Sequence, residues 1–223
     1  MKKFMLLFVI CAVAIVMHAQ VGGEIFAGYD HYWETIDGKS GDAMGDLYFG
    51  LGWSYELNDN FTLDPELIFR LSGISGVDEE FEDDFPQNIL ELNGKFHYNF
   101  ELDFLSGLAV VPYLGWNFSY NLDADEDETA FSIPFGADIV YTLEMNNLEI
   151  SPYLGLGLTM LTNTVDDEFV KENALNFDLS LGLEVVLNSK ISLGVEYSMG
   201  MIELHEKSDD KAYNLNFQLG FRF

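Results

Sequence analysis

From residue 212 to residue 223 apolar and polar side chains alternate without a break. Tyr213, Leu215, Phe217, Leu219, Phe221 and Phe223 share one side of an extended chain, while Asn214, Asn216, Gln218, Gly220 and Arg222 share the other. Successive side chains of a strand point to opposite faces, so this segment reads as a strand with one apolar and one wet face. The same period predicts strands near 22–33, 45–56, 61–72, 88–100, 108–120, 130–143, 148–162, 174–187, 191–202 and 212–223. Each is long enough to cross a bilayer at a tilt, which takes about 9–11 residues.

The connections alternate in length. Those at 57–60, 101–107, 144–147 and 188–190 are short, whereas those beginning after Trp33, Ser72, Tyr120, Thr162 and Ile202 are longer and mostly acidic. Short turns at one end, long loops at the other and an even strand count are the pattern of a membrane-spanning barrel. A charge on the lipid face is costly at mid-membrane, which makes the apolar face a test. In the eighth segment that face is Leu175, Phe177, Leu179, Leu181, Leu183 and Val185; in the ninth it is Ile191, Leu193, Val195, Tyr197, Met199 and Met201. No Asp, Glu, Lys or Arg falls on the apolar face of any predicted strand, and His31 is the exception among titratable groups apart from tyrosines. Aromatic residues gather at the strand ends, as rings that favour the headgroup zone should: Tyr29, Trp33, Trp116, Tyr120 and Tyr213 toward the loops, and Trp53, Tyr55, Tyr98, Tyr141 and Phe223 toward the turns.

The long apolar run of the chain lies at its start, where Lys2 and Lys3 precede residues 4–17 and Ala19 offers a cleavage point before Gln20. This predicts a signal peptide over 1–19 and a barrel domain over 20–223. The alternative of an uncleaved anchor would need about 20 apolar residues, and His18 and Gln20 interrupt the run. The single cysteine, Cys11, lies inside it, so the mature chain would hold no thiol. The 223 residues carry 38 acids against 10 Lys and Arg, and a net charge of -28 excludes nucleic acid as a partner because it repels phosphate.

The strand ending in Phe223, the strand pattern and the loop asymmetry resemble the small outer-membrane β-barrel proteins of Gram-negative bacteria, of the OmpA, OmpX and OmpW types. The resemblance implies an all-β, antiparallel up-and-down transmembrane β-barrel integral to the outer membrane. It also implies contact with membrane lipid and with the barrel assembly machinery, which reads a C-terminal pattern carried here by Phe221 and Phe223. The commonest relatives have eight strands where ten are predicted here, and eight is the fallback count because the turn within 100–109 can be drawn differently. A soluble lipocalin-like barrel, with its apolar face turned inward, shares the alternation.

Polar positions place Glu24, Asp30, Asp46, Glu56, Asp64, Glu66, Glu91, Asp138, Glu149, Asp178, Glu184 and Glu196 inside, against Arg70, Lys95 and Arg222 with His97 assisting. Some must pair across strands. The surplus carboxylates cannot all stay ionised in a dry interior, so either the lumen is wet or several acids are neutral. About eight strands leave a barrel filled by side chains and 16 to 18 leave a channel, so ten lies between. Glycines at inward positions, including Gly50, Gly155, Gly157, Gly182 and Gly194, leave room for water or relieve crowding where strands bend.

The outer loops carry Asp83 and Asp84, then Asp123, Asp125 and Asp127, then Asp166, Asp167, Glu168 and Glu172. Such oxygen clusters suit loosely bound Ca²⁺ or Mg²⁺, although the segment from Asp123 is no EF-hand, having no glycine at its sixth position and Pro134 at its twelfth. No firm metal site and no cofactor are expected. The leading expectation is a non-enzymatic barrel with a structural or surface-interaction role, meeting an extracellular ligand or divalent cations. A narrow cation-preferring channel is the alternative. An omptin-like hydrolase on the outer rim, using Asp83, Asp84, Glu203, His205 and Asp209, is the second, and lipid A-modifying barrels remain a further enzymatic option. The oligomeric state is left open.

Overall fold

The structure, a computed structural model, describes residues 22–36, 39–41, 43–76, 86–123, 129–165, 168–201 and 211–223. Ten long strands make up most of it: β1 (Gly22–Ile36), β2 (Met44–Asn58), β3 (Phe61–Ser75), β4 (Gln87–Tyr98), β5 (Leu108–Asn121), β6 (Thr129–Tyr141), β7 (Leu148–Val165), β8 (Glu168–Leu187), β9 (Ile191–Met201) and β10 (Lys211–Arg222). Short pieces at Lys39–Ser40, Phe100–Glu101 and Leu143–Met145 extend the pairing near strand ends. Among the described residues there is no helix.

Each long strand pairs antiparallel with the next, and β10 pairs with β1 from Glu24 opposite Arg222 to Thr35 opposite Lys211, so the sheet closes on itself. Closure leaves no strand edge unpaired, the condition for a sheet in hydrocarbon, where a free N–H or C=O finds no water. The count is therefore ten, and the fallback of eight is set aside. The turn drawn within 101–107 falls at 102–107, where Gly107 adopts φ +84° and a Cβ would lie 2.2 Å from the Thr142 carbonyl oxygen. The signal segment 1–19 lies outside the described residues.

One connection departs from expectation. The fourth long loop, predicted from its acids after Thr162, is largely hairpin: β7 runs on to Val165, β8 begins at Glu168, and the ladder slips register between Leu161 and Asn163. The β-branched and aromatic residues Thr164, Val165, Phe169 and Val170 favour extended backbone and outweigh the charges as a local signal. Elsewhere the period-two reading holds, and it sorts the faces. Outward Leu219 is 55% exposed, whereas inward Phe26 is 4% exposed. Phe26, Tyr48 and Ile68 form a buried apolar cluster inside the barrel, so the interior is not polar throughout.

The acid-lined interior as candidate functional site

Arg70 organises one half of the interior. It follows Asp64, Glu66 and Ile68 on the inward face of β3. Its Nε donates to Glu91 Oε1 at 2.5 Å, and its Nη1 contacts Asp30 and lies 3.4 Å from Asp46 Oδ2. The acids are satisfied further: Asp46 Oδ1 accepts from Ser72 Oγ at 3.0 Å and Gly73 N at 2.8 Å, and Asp30 Oδ1 accepts from Asn216 Nδ2 at 2.7 Å. The Tyr48 ring lies 5.3 Å from the guanidinium carbon, and its hydroxyl accepts from Asn216 Nδ2 at 2.6 Å. A buried charge group persists only when its lone pairs and protons are met, as they are here by β1, β2, β3, β4 and β10 together. With Phe26 and Ile68 beside it, this half is packed apart from a small cavity on its loop side that Asp30 and Arg70 border.

Glycines make the packing possible. A Cβ on Gly28 would meet the Tyr48 ring at 2.2 Å, one on Gly50 the Phe26 ring at 2.2 Å, and one on Gly182 the Tyr153 ring at 2.2 Å. At Gly50 and Gly182 the room predicted for water is thus taken by aromatic rings, while Gly194 meets nothing nearer than Gln218 Cβ at 3.6 Å.

The other half is open. A cavity of about 1290 Å³ starts between the turns, at Asn60, Ser106 and Glu144, and rises past Lys95, Asp138, Tyr153 and Glu196 to Thr159, Asp178 and Ser198. Lys95 Nζ lies 2.9 Å from Asp138 Oδ2 and 4.2 Å from the centre of the Tyr113 ring. Arg222 contacts Glu184 and lies 3.8 Å from Glu24, and His97 Nδ1 lies 3.0 Å from Asp64 Oδ2. Among the described residues the hydrogen-bond partners of Asp178 and Glu196 are neutral, Thr159 Oγ1 at 2.6 Å and the Tyr153 hydroxyl. Glu66 has no hydrogen-bond or ion-pair partner among the described residues. Toward the loops a second cavity of about 310 Å³ is lined by Asp30, Tyr32, Arg70, Asp178, Ser198 and Asn214, so Asp178 and Ser198 line both.

The predicted inward residues therefore meet in four ion-paired sets, Arg70 with Asp30, Asp46 and Glu91, Lys95 with Asp138, Arg222 with Glu184 and Glu24, and His97 with Asp64, while Asp178 and Glu196 each meet a neutral hydroxyl. The inward tyrosines Tyr48, Tyr113 and Tyr153 carry no charge to single them out in the sequence; their strand parity alone marks them as inward. Of the predicted loop ligands, Asp123 is described, and its Oδ2 accepts from the backbone N of Asn88 at 2.6 Å and from Asn88 Nδ2 at 2.7 Å, fastening the start of β4. Asp83, Asp84, Asp125, Asp127, Glu203, His205 and Asp209 lie outside the described residues. Among the described residues no group of three or more His, Cys, Asp or Glu is placed to hold a metal ion. Phe221 faces outward opposite Ile25 and Ile191, and Phe223 exchanges backbone hydrogen bonds with Gly23 at 2.8 and 3.1 Å.

Residues 91–223 match the family model described as outer membrane protein beta-barrel domain. The chain belongs to that family. It is accordingly an integral β-barrel of the outer membrane. Its fold is similar to that of the β domain of the Bordetella autotransporter BrkA, with a TM-score of 0.57 at 13% identity over 92% of this chain and 99% of that one. An outer membrane channel from Pseudomonas putida F1 aligns with a TM-score of 0.48 at 11% identity over 91% of this chain and 95% of that one. Ail of Yersinia pestis, solved with a heparin analogue, aligns with a TM-score of 0.39 at 12% identity over 92% and 100%. No curated protein matches the sequence. A barrel fold serves binding, transport and catalysis alike, so the function has to be argued from the interior.

Proposed function

We propose that this outer-membrane barrel is non-enzymatic and that its open half-lumen passes small cations. The observation that carries this reading is the continuity of the acid lining, since Asp178 and Ser198 border both the large turn-side cavity and the smaller loop-side one. Along that route the lysine and the arginine that line the cavities are already compensated, Lys95 by Asp138 and Arg70 by Asp30, Asp46 and Glu91. Asp178 and Glu196 are left with hydroxyl partners and carboxyl oxygens to offer a passing ion. Rings of carboxylates in a confined, low-dielectric path draw in cations and repel anions.

A surface-interaction role through the acidic loops is the second reading, and the anchoring of Asp123 to Asn88 favours it by fixing the root of the third loop. Single-channel recording of the refolded mature barrel in a planar bilayer under a salt gradient separates the two. Discrete cation-selective steps, with selectivity reduced in Asp178→Asn and Glu196→Gln, are the expected result. A folded but silent barrel would overturn conduction and leave the loops, where removal of the acids should weaken binding of divalent cations.

A further inference from the structure

The outward face of the barrel is almost free of charge, and its two exceptions are neighbours. Among the residues whose side chains are described, the outward positions of the ten strands carry one formal charge, Lys211, and one other base, His31. Both lie at the loop end of the β1–β10 seam. Lys211 pairs with Thr35 and Met201; the next outward level holds Trp33, Tyr213 and Met199, and the level below it His31, Leu215 and Tyr197. Trp33 stacks on Tyr213, with ring centres 5.4 Å apart and planes 11° apart. His31 lies 5.7 Å from Trp33 and stacks at 6.4 Å on Tyr29, and Tyr197 lies 6.4 Å from both Trp33 and Tyr213.

We propose that this patch is a binding site for a lipid with a phosphate-bearing headgroup in the outer leaflet. The rings occupy the interfacial level, where amphipathic aromatics favour the headgroup boundary, and alone they would anchor the barrel in a neutral surface. The added feature is the pair of bases. In a chain of net charge -28, a soluble anion is repelled on approach, whereas a lipid held by its acyl chains reaches the seam sideways through the bilayer. The flexible stem of Lys211 can lie along the apolar wall and lift its ammonium to the level of the phosphate. His31, held between Tyr29 and Trp33, presents a ring N–H to the same headgroup from below. Among the described residues no acid forms an ion pair with either base, which leaves both for an anion. This inference is independent of conduction through the lumen.

The test uses the full mature barrel, refolded, stripped of lipid and reconstituted with equimolar phosphatidylglycerol and phosphatidylcholine, with retained lipid counted by native mass spectrometry. Phosphatidylglycerol should be retained in preference. Lys211→Gln should lower that preference by about fivefold, the effect expected of one lysine at an anionic surface. His31→Gln should lower it by less, and Lys190→Gln, at the turn end, should leave it unchanged. Circular dichroism and gel mobility before and after heating establish that each variant is folded. Equal retention of the two lipids by the unaltered barrel would overturn the proposal, as would a preference that survives Lys211→Gln and His31→Gln combined. Displacement of the lipid by millimolar inorganic phosphate would also overturn it, showing a site for free anions, and so would a dimer through this seam that excludes lipid.

Discussion

The ring of Tyr153 lies across Gly182, its partner on the neighbouring strand, so closely that a Cβ there would fall 2.2 Å from the ring. From that seat the Tyr153 hydroxyl reaches over β8 to Glu196 on β9. Gly182→Ala should force the ring off its seat and cost about 1–3 kcal/mol, the usual penalty of overpacking, while Tyr153→Phe should cost about 1 kcal/mol for the lost hydrogen bond. Urea unfolding of Gly182→Ala, of Tyr153→Ala and of the two combined should show non-additivity, because both changes act through one ring.

Arg70 and Lys95 should respond very differently to truncation. Arg70→Ala strands the carboxylates of Asp30, Asp46 and Glu91, which are 7%, 7% and 16% exposed, and should cost about 3–5 kcal/mol. Lys95 is 42% exposed beside the cavity, so water can take over from it, and Lys95→Ala should cost no more than about 1 kcal/mol. Unfolding midpoints in the same detergent check the difference, and equal losses would contradict the division of the interior into packed and open halves.

Ser198 lines both cavities, and among the described residues its side chain makes no hydrogen bond. Ser198→Leu should therefore abolish discrete conductance steps while leaving the circular dichroism spectrum of the barrel unchanged. Persisting steps of normal size would place the ion path elsewhere.

The turn between β8 and β9 holds two non-glycine residues in the left-handed region, Asn188 at φ 54° and Ser189 at φ 57°, closed by Lys190 N donating to Leu187 O at 3.0 Å. This is a type I′ hairpin, whose second position favours glycine. Ser189→Gly should stabilise by about 0.5 kcal/mol, the relief of left-handed strain exceeding the added flexibility of the unfolded chain. A rise in the urea midpoint is the readout.

Removing Phe223 deletes the last rung of the seam, where it exchanges hydrogen bonds with Gly23. Refolding in detergent should survive with a loss of about 2 kcal/mol, two net hydrogen bonds, whereas the amount of barrel reaching the outer membrane in cells should fall much further. A proportionate fall in both would mean that Phe223 serves the seam and not assembly.

The β7–β8 hairpin shows where local reading failed. Its acids, Asp166, Asp167, Glu168 and Glu172, suggested a solvated loop, yet both strands extend toward it. Charge reports exposure, and an exposed segment can still be a paired strand once its partner is alongside. Which of the two roles open to an inward glycine applies is settled in a related way: whether Gly182 faces water or the Tyr153 ring depends on which residue stands opposite, and that is a property of the hairpin register.

The sequence alone determined the ten strands, their parity and the outer-membrane barrel, because a period of two is written into consecutive residues and the bilayer enforces it on every strand. Only the tertiary structure decided which inward groups meet. Arg70 finds Asp30 40 residues away, Tyr153 finds Glu196 43 residues away, and Asn216 finds Asp30 186 residues away. Those meetings depend on the stagger at which β10 closes onto β1 and on the inward tilt of side chains from several strands. Both are set by the closed sheet as a whole, and no single stretch of sequence carries them.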